Sequence, residues 1–184
     1  PVRLIESGPA GGAILAENIA REAKANNMIS LDMGGTTAKI CAVSEGRAGI
    51  TRMFEVDRAE LFMKDSGLPV QIPCIDLVEI SGGGGSMASI DAVGNLRVGP
   101  ESAGSKPGPA CYGRGGIMPT VTDADLVLGR LQAGSLALGE VDLKLSHAET
   151  AISTTLAEHL KVSTKVAAFS VAEAVEDSLA TAAR

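Results

Sequence analysis

Asp32, Gly34, Gly35, Thr36 and Thr37 are residues whose types and spacing suit the binding of a charged ligand. Two glycines let the backbone approach a ligand closely and leave their N–H groups to face an anion. The two threonine hydroxyls add donors for phosphate oxygens, and the Asp32 carboxylate is a hard oxygen ligand suited to Mg²⁺, held directly or through water. The pattern predicts a clamp for the Mg-bound phosphates of a nucleotide. An ordinary tight hairpin, in which Asp32 only caps the turn, is the alternative.

The elements that must position this clamp are predicted to be strands. Apolar residues 28–31 precede Asp32, a β-branched run follows at 36–43, and a turn at 45–47 leads to a further strand-like run at 49–56. Strands separated by such short turns indicate antiparallel hairpins. A P-loop is excluded because it needs a helix directly after its glycines and a Lys before the Ser/Thr. A Rossmann fingerprint is excluded because the second run continues as strand.

A second glycine cluster lies at residues 81–86, which read Ser-Gly-Gly-Gly-Gly-Ser. Ordering four consecutive glycines costs much chain entropy, so an ordered run implies a functional reason. Gly83, Gly84 and Gly85 are therefore predicted to line a backbone pocket for a phosphate or ribose. A flexible connector is the alternative.

Three residues in the second half of the chain are candidates for catalysis. Cys111 lies in a loop rich in proline and glycine, near Arg114, and a thiol whose pKa is lowered by this cation is one interpretation. A packed, inert thiol is the reading that the residues favour. Asp123 and Asp125 follow Thr122, the predicted N-cap of a helix, and carboxylates stabilise the first helical turn. Capping is the favoured role for both, and a metal-binding or basic role is the alternative.

Apolar spacing and start signals predict the remaining elements. A short strand is expected at 1–5, a helical or irregular stretch at 58–64, and a hairpin at 87–98. Capping boxes predict helix starts at Ser146 and Ser170. The first helix is predicted to begin with Ser7 as N-cap, and its residues at helical spacing are Ile14, Leu15, Ile19, Ala20 and Ala23.

Composition narrows the classes of partner. The chain has 184 residues, 45% of them apolar, enough for one ordinary domain with a sizeable core. A net charge of −6 without long runs of either sign argues against nucleic acid as a partner. No stretch reaches the length of a transmembrane helix and no signal peptide is visible, so no membrane partner is expected.

Cysteine usage and the chain ends complete the expectations. Cys41, Cys74 and Cys111 form neither a disulfide framework nor a C-x-x-C pair, which favours a reducing cytoplasm. The chain begins at Pro1 without an initiator Met and ends at Arg184 within an apparent helix. We therefore expect a fragment of a longer protein.

Five motifs in sequence order carry a family resemblance. They are Ser-Gly-Pro-Ala-Gly-Gly (7–12), Asp-Met-Gly-Gly-Thr-Thr (32–37), Gly-Gly-Gly-Gly-Ser (82–86), Val-Gly-Pro-Glu-Ser-Ala-Gly-Ser-Lys-Pro-Gly-Pro-Ala-Cys-Tyr-Gly-Arg-Gly-Gly (98–116) and Pro-Thr-Val-Thr-Asp-Ala-Asp-Leu-Val-Leu-Gly-Arg-Leu (119–131). With these motifs the chain resembles the hydantoinase A / 5-oxoprolinase family, which includes N-methylhydantoinase A and the acetone carboxylase β subunit. The resemblance is close from residue 1 to about residue 145 and loose over the last two helices.

The resemblance implies an α/β protein, part of an actin-like (ribonuclease H-like) ATPase fold with antiparallel hairpins and flanking helices. It implies ATP and Mg or another divalent metal, with ATP phosphorylating the substrate oxygen before ring opening or carboxylation. Asp32 and residues 34–37 match the family's second phosphate-binding hairpin, and residues 83–85 become part of the same cleft. Residues 1–184 would be a partial ATPase domain, incomplete at both ends and inactive alone.

Three functions remain open from the resemblance. A cyclic-amide hydrolase with a hydantoinase B-type partner subunit or domain is favoured, and an ATP-dependent ketone carboxylase subunit or a non-catalytic actin-like binding module are the alternatives. Many members read Gly-Gly-Thr-Ser-Thr-Asp at the hairpin, whereas this chain has Thr37, Ala38 and Lys39. An acidic side chain there cannot be invoked, and Lys39 is an alternative group to face a phosphate.

Overall fold

The computed structural model describes residues 7–56, 66–136 and 141–184. The predicted strand at 1–5 and the stretch at 58–64 lie outside these residues. The described chain divides into two compact units. The first contains residues up to 33 together with 38–80 and 182–184, and the second contains residues 34–37 and 81–181.

The first unit is built on an antiparallel sheet. Its elements are α1 (Ser7–Glu22), β1 (Asn27–Met33), β2 (Ala38–Ser44), β3 (Arg47–Ala48), β4 (Ile50–Thr51), β5 (Phe54–Val56), β6 (Leu68–Val70), β7 (Cys74–Ile75) and β8 (Val78–Ile80). Strand β2 pairs with β1, β3 and β8, all antiparallel, which confirms the predicted hairpins. The run predicted as one strand at 49–56 is instead divided, because β4 pairs with β7 and β5 pairs with β6.

Helix α1 packs on this sheet through small residues. Ala16 and Ala20 form a buried cluster with Val43, against which Met28 packs. Some residues that were predicted at helical spacing do not face the sheet. The large side chains of Ile14, Leu15 and Ile19 are about half-exposed, whereas Ala20 is buried. Alanine lets a helix approach a sheet closely, whereas the longer aliphatic chains point away from this contact.

The opposite face of the sheet is apolar and partly exposed. Side chains of a strand alternate between faces, so Ile29, Leu31 and Met33 share the face turned away from Met28. All three are exposed, Ile29 to 60%. An antiparallel sheet with one solvated face usually alternates apolar and polar residues. Here both faces of β1 carry large apolar side chains.

The second unit combines a hairpin with helices. Its elements are β9 (Ser86–Ile90), β10 (Leu96–Ser102), a 3₁₀ turn (Ala110–Tyr112), α2 (Val121–Val127), β11 (Gly134–Leu136), β12 (Val141–Leu143), α3 (Leu145–Ile152), a π-helical segment (Ser153–Ala157), α4 (Glu158–Leu160) and α5 (Thr164–Ala182). The β9–β10 hairpin confirms the one predicted at 87–98. The core of this unit includes Ile152, Leu156 and Val171, all fully buried.

Two helix starts differ from the predicted capping boxes. Helix α3 has Lys144 as its N-cap without a side-chain hydrogen bond, and α5 begins at Thr164 rather than near Ser170. The Ser170 hydroxyl donates to the Val166 carbonyl at 3.1 Å, so this serine is satisfied inside its own helix. No helix in the described parts of the chain combines the length and hydrophobicity that a bilayer crossing requires.

Candidate functional site

The turn at residues 34–37 joins β1 to β2 and belongs to the second unit. The Gly34 N–H donates to the Thr37 carbonyl at 2.9 Å, which closes the turn. Gly34, Gly35 and Thr36 are exposed and Thr37 is partly buried. The predicted glycine turn is therefore present, with its backbone open to solvent on one side.

The second glycine cluster packs directly against this turn. The Gly84 N–H donates to the Gly34 carbonyl at 2.9 Å, and the Gly85 N–H donates to the Gly35 carbonyl at 2.7 Å. Gly83 and Gly85 are buried. The cluster is thus a packed segment of the second unit and not a flexible connector, and two glycine motifs far apart in sequence are hydrogen-bonded to each other.

Close backbone contact explains why glycine occupies these positions. A Cβ atom on Gly83 would lie 2.7 Å from backbone atoms of Gly35 and Thr36. A Cβ atom on Gly85 would lie 2.7 Å from the Gly35 carbonyl oxygen. Real Cβ atoms do not approach backbone this closely, so a side chain at either position would displace the turn.

The hydrogen bonds to the cluster also orient the peptide groups of the turn. In a trans peptide the N–H points opposite to the preceding C=O. Because the Gly34 and Gly35 carbonyls face the cluster, the N–H groups of Gly35 and Thr36 point away from it. Within the described residues neither N–H donates a hydrogen bond. Two adjacent backbone donors beside the Thr36 hydroxyl form an arrangement that can bind an anion.

Asp32 lies in the first unit, near the carboxyl end of β1, and is exposed. A Cβ atom on Gly12 would lie 3.2 Å from Asp32 Oδ2, so α1 approaches this carboxylate closely. Lys39 is its register partner on β2 and forms an ion pair with Glu79 at 3.5 Å. The Lys39 ammonium is therefore engaged within its own sheet. In the described ranges no group of three or more His, Cys, Asp or Glu side chains is arranged to hold a metal.

Asp123 is fully buried and accepts four hydrogen bonds. The donors are the Ala110 N–H at 3.1 Å, the Cys111 N–H at 2.7 Å, and the N–H and hydroxyl of Thr120 at 2.9 and 2.8 Å. Thr120 and Asp123 form a capping box at the start of α2. The prediction of Thr122 as N-cap was wrong by two residues, whereas the capping role favoured for Asp123 is present.

Cys111 has the surroundings of a packed thiol. Its side chain is fully buried. Burial, followed by the negative charge of Asp123, raises the pKa of the Cys111 thiol far above its ordinary range. Arg114, the expected activating cation, lies over the Tyr112 ring at 5.9 Å. The thiol is therefore protonated at neutral pH, and the structure favours the inert thiol over a nucleophile.

Asp125 on α2 shares the Arg130 guanidinium with Glu176 of α5. Arg130 lies 3.4 Å from Asp125 and 2.6 Å from Glu176. Burial raises the pKa of Asp125, although the nearby Arg130 acts in the opposite direction. Its contacts are those of a structural ion pair.

Sequence reasoning missed two residues that contact the glycine motifs. The Thr122 N–H and hydroxyl both donate to the Gly84 carbonyl, each at 2.8 Å. The Ser102 hydroxyl donates to the Gly35 carbonyl at 3.4 Å. These partners are separated by 38 and 67 positions. No local pattern in the sequence signals contacts over such distances.

Comparison with known proteins identifies the family. Residues 1–184 match the family described as Hydantoinase/oxoprolinase. The chain belongs to the hydantoinase/oxoprolinase family. The caprolactamase subunit alpha of Pseudomonas jessenii is 38% identical over 186 residues, which cover 100% of this chain and 25% of that subunit. The 5-oxoprolinase of Saccharomyces cerevisiae is 40% identical over 132 residues, which cover 71% of this chain and 9% of that enzyme.

Two solved structures of related enzymes share the fold of this chain. The crystal structure of the ATP-dependent caprolactamase from Pseudomonas jessenii matches with a TM-score of 0.79 at 38% identity, over 97% of this chain and 24% of that chain. The nucleotide-free structure of acetone carboxylase matches with a TM-score of 0.78 at 26% identity, over 93% of this chain and 23% of that chain. That enzyme carries out ATP-dependent acetone carboxylation. This chain thus spans about a quarter of each solved chain.

These findings confirm the family resemblance and a mixed α/β fold with antiparallel strands. The hydantoinase/oxoprolinase relatives include ATP-dependent enzymes that act on an amide or a ketone. One of them is named as a subunit, which implies association with further subunits in that protein.

Proposed function

We propose that this chain is part of an ATP-dependent cyclic-amide hydrolase and that residues 34–37 bind nucleotide phosphates. The observation that carries the proposal is the orientation of the turn. Gly84 and Gly85 hold the Gly34 and Gly35 carbonyls, so the N–H groups of Gly35 and Thr36 face outward. Backbone donors fixed in advance stabilise phosphate charge at little reorganisation cost.

Within this proposal the two glycine motifs have different roles. The Gly35 and Thr36 N–H groups, with the Thr36 and Thr37 hydroxyls, supply the donors that contact phosphate oxygens, whereas the Gly34 N–H closes the turn on the Thr37 carbonyl. Residues 83–85 support the turn on its other side and hold its peptide groups in place. Residues 1–184 then form part of an actin-like ATPase domain, whose remaining cleft and substrate residues belong to the rest of the protein.

Asp32 is the proposed metal ligand. It is an exposed carboxylate two positions before Gly34 in the chain. Mg²⁺ usually keeps several waters and takes one or two carboxylates together with substrate phosphates, so a single aspartate close in sequence to a phosphate-binding turn suits it. A bound divalent ion would neutralise phosphate charge, and Asp32 would orient it directly or through water.

Bound ATP would supply a phosphoryl group to activate the amide oxygen before hydrolysis of the C–N bond. The turn would bind and orient the phosphates for that transfer. A ketone carboxylase subunit is the second candidate, supported by the TM-score of 0.78 to acetone carboxylase. Partner association is proposed from the naming of the caprolactamase chain as a subunit. The cytoplasmic location, and the lack of nucleic-acid or membrane partners, remain predictions.

The test measures ATP hydrolysis by the whole protein with its partner, with and without 5-oxoproline, hydantoins, lactams and small ketones. We expect stimulation by a cyclic amide, and loss of that stimulation in Asp32→Ala. The exposed carboxylate of Asp142, changed to Ala, serves as the matched control. A bicarbonate-dependent product would favour the carboxylase. Full turnover in Asp32→Ala would overturn the assignment of Asp32, and no ATP hydrolysis with any substrate would favour a binding module.

A further inference from the structure

The first turn of α2 is connected to the phosphate-binding turn through Gly84. Helix starts leave backbone N–H groups without partners inside the helix. The Thr122 N–H is one of these, and it donates to the Gly84 carbonyl together with the Thr122 hydroxyl, each at 2.8 Å. One carbonyl oxygen therefore accepts two hydrogen bonds from a single residue.

Gly84 is hydrogen-bonded both to Thr122 and to the turn. Its carbonyl is held by Thr122, and its N–H donates to the Gly34 carbonyl at 2.9 Å. A Cβ atom on Gly84 would lie 2.8 Å from Thr122 Oγ1, so the residue is enclosed on that side as well. Glycine has wide conformational freedom. The hydrogen bonds at its N–H and its carbonyl therefore fix its backbone, and with it the position of the Gly34 carbonyl.

The element that carries Thr122 is firmly anchored. Thr120 and Asp123, the residues of the capping box, are both fully buried. Val121 and Ala124 belong to the main core cluster of this unit. Side chains on buried, well-packed elements hold functional groups more accurately than side chains on loops. Thr122 is therefore fixed on both sides by core residues while its own polar groups point at Gly84.

We propose that Thr122 is a positioning residue for the nucleotide phosphates: through Gly84 it sets the orientation of the Gly34–Gly35 peptide, whose N–H faces the phosphate. This inference rests on the proposed function of the turn. It gives a function to the two hydrogen bonds by which Thr122 holds the Gly84 carbonyl. The motif at 119–131 would then support nucleotide binding by positioning the turn, without contacting the nucleotide itself.

The experiment compares Thr122→Val with Thr122→Ser in the whole protein with its partner. Valine keeps the shape and the backbone N–H but loses the hydroxyl, whereas serine keeps the hydroxyl. A net hydrogen bond of about 1 kcal/mol corresponds to a factor of about five, so we expect the KM for ATP to rise about three- to tenfold in Thr122→Val. The KM for the amide should be unchanged, and Thr122→Ser should restore the KM for ATP.

Thr154→Val is the matched control. Its hydroxyl donates to the Thr150 carbonyl of α3 at 2.9 Å, so the same chemical change is made without any contact to the glycine motifs. The KM for ATP should not change in this variant. An unchanged KM for ATP in Thr122→Val would overturn the inference, as would an equal rise in Thr154→Val or a failure of Thr122→Ser to restore binding.

A second measurement covers the case in which Thr122→Val does not fold. Amide hydrogen exchange of the wild-type peptide containing Gly84 and Gly85 should slow when Mg²⁺ and a non-hydrolysable ATP analogue are added, because these amides hold the turn. No added protection there, in wild-type protein whose binding of the same analogue is demonstrated by titration, would overturn the role of Thr122 while leaving the proposed function in place. Absence of nucleotide binding in the wild type would instead overturn the proposed function itself.

Discussion

A methyl group on Gly83 would lie 2.7 Å from the backbone nitrogen and the carbonyl carbon of Thr36. The two glycine motifs are therefore in contact at a distance that only hydrogen can occupy. We expect Gly83→Ala to push the turn out of place, lower the stability by about 1–3 kcal/mol through overpacking, and abolish nucleotide binding. Thermal unfolding and titration with a fluorescent ADP analogue measure the two effects.

Gly11→Ala provides the comparison for this prediction. Gly11 lies inside α1, and a Cβ atom there would meet nothing within 4 Å. Alanine is favoured over glycine inside a helix, so stability should be unchanged or rise by about 0.5–1 kcal/mol. Equal behaviour of the two alanine variants would contradict the close contact at Gly83.

The Asp123 carboxylate is expected to be essential for stability. Asp123→Asn keeps the shape of the side chain but replaces an oxygen that accepts hydrogen bonds with an NH₂ group that donates them. Several buried donors then lose their acceptor, at about 1–3 kcal/mol for each buried group left unsatisfied. We therefore expect a loss of about 3 kcal/mol or more in the free energy of unfolding, measured by urea denaturation.

Asp125→Asn is the matched control for that measurement, since it makes the same change two positions along the same helix. Asp125 is partly exposed and pairs with Arg130, so its replacement should cost less than about 1 kcal/mol. A loss in Asp125→Asn as large as in Asp123→Asn would show that the buried hydrogen bonds of Asp123 are not the cause.

Cys111 is expected to be unreactive in the native protein. Its thiol is fully buried and burial raises its pKa, so a thiol reagent at pH 8 should label it only after unfolding, whereas the partly exposed Cys74 should react in the native protein. Mass spectrometry of the labelled peptides separates the two. Rapid labelling of Cys111 in the native protein would restore it as a candidate nucleophile.

The raised pKa of Cys111 also has a consequence for stability at high pH. The native thiol keeps its proton to a higher pH than the thiol of the unfolded chain, which titrates near about 8.5. Its contribution to stability is therefore complete below that pH and is lost as the pH rises further. Stability should fall above about pH 9, and the fall should be shallower in Cys111→Ala.

Local features of this chain could be predicted from its sequence. The β1–β2 hairpin follows from apolar runs on either side of Gly34 and Gly35, because strand alternation and turn chemistry depend on neighbouring residues. The motifs at 32–37 and 98–116 also indicated the family, which the match over residues 1–184 confirmed. The residues proposed to contact phosphate were all identified at this level.

Helix starts in the second half were predicted less well. Thr120, rather than Thr122, caps α2, because the buried Asp123 is three positions after Thr120 and completes a capping box with it. Ser170 resembled a cap but lies inside α5, where its hydroxyl bonds to the Val166 carbonyl. Apolar packing of Val171 and Val175 extends this helix through a residue that local preference would place at its start.

By itself, the sequence indicated the turn and the family, because those depend on residues close together in the chain, but the expectation that the Gly34 N–H faces an anion was wrong, since it donates to the Thr37 carbonyl. Only the tertiary structure decided which face of the turn stays open, because that depends on Gly84 and Gly85 hydrogen-bonding to Gly34 and Gly35. It also brought Thr122 to the Gly84 carbonyl across 38 positions. Such contacts arise from packing of the whole unit, which has no period or local signature in the chain.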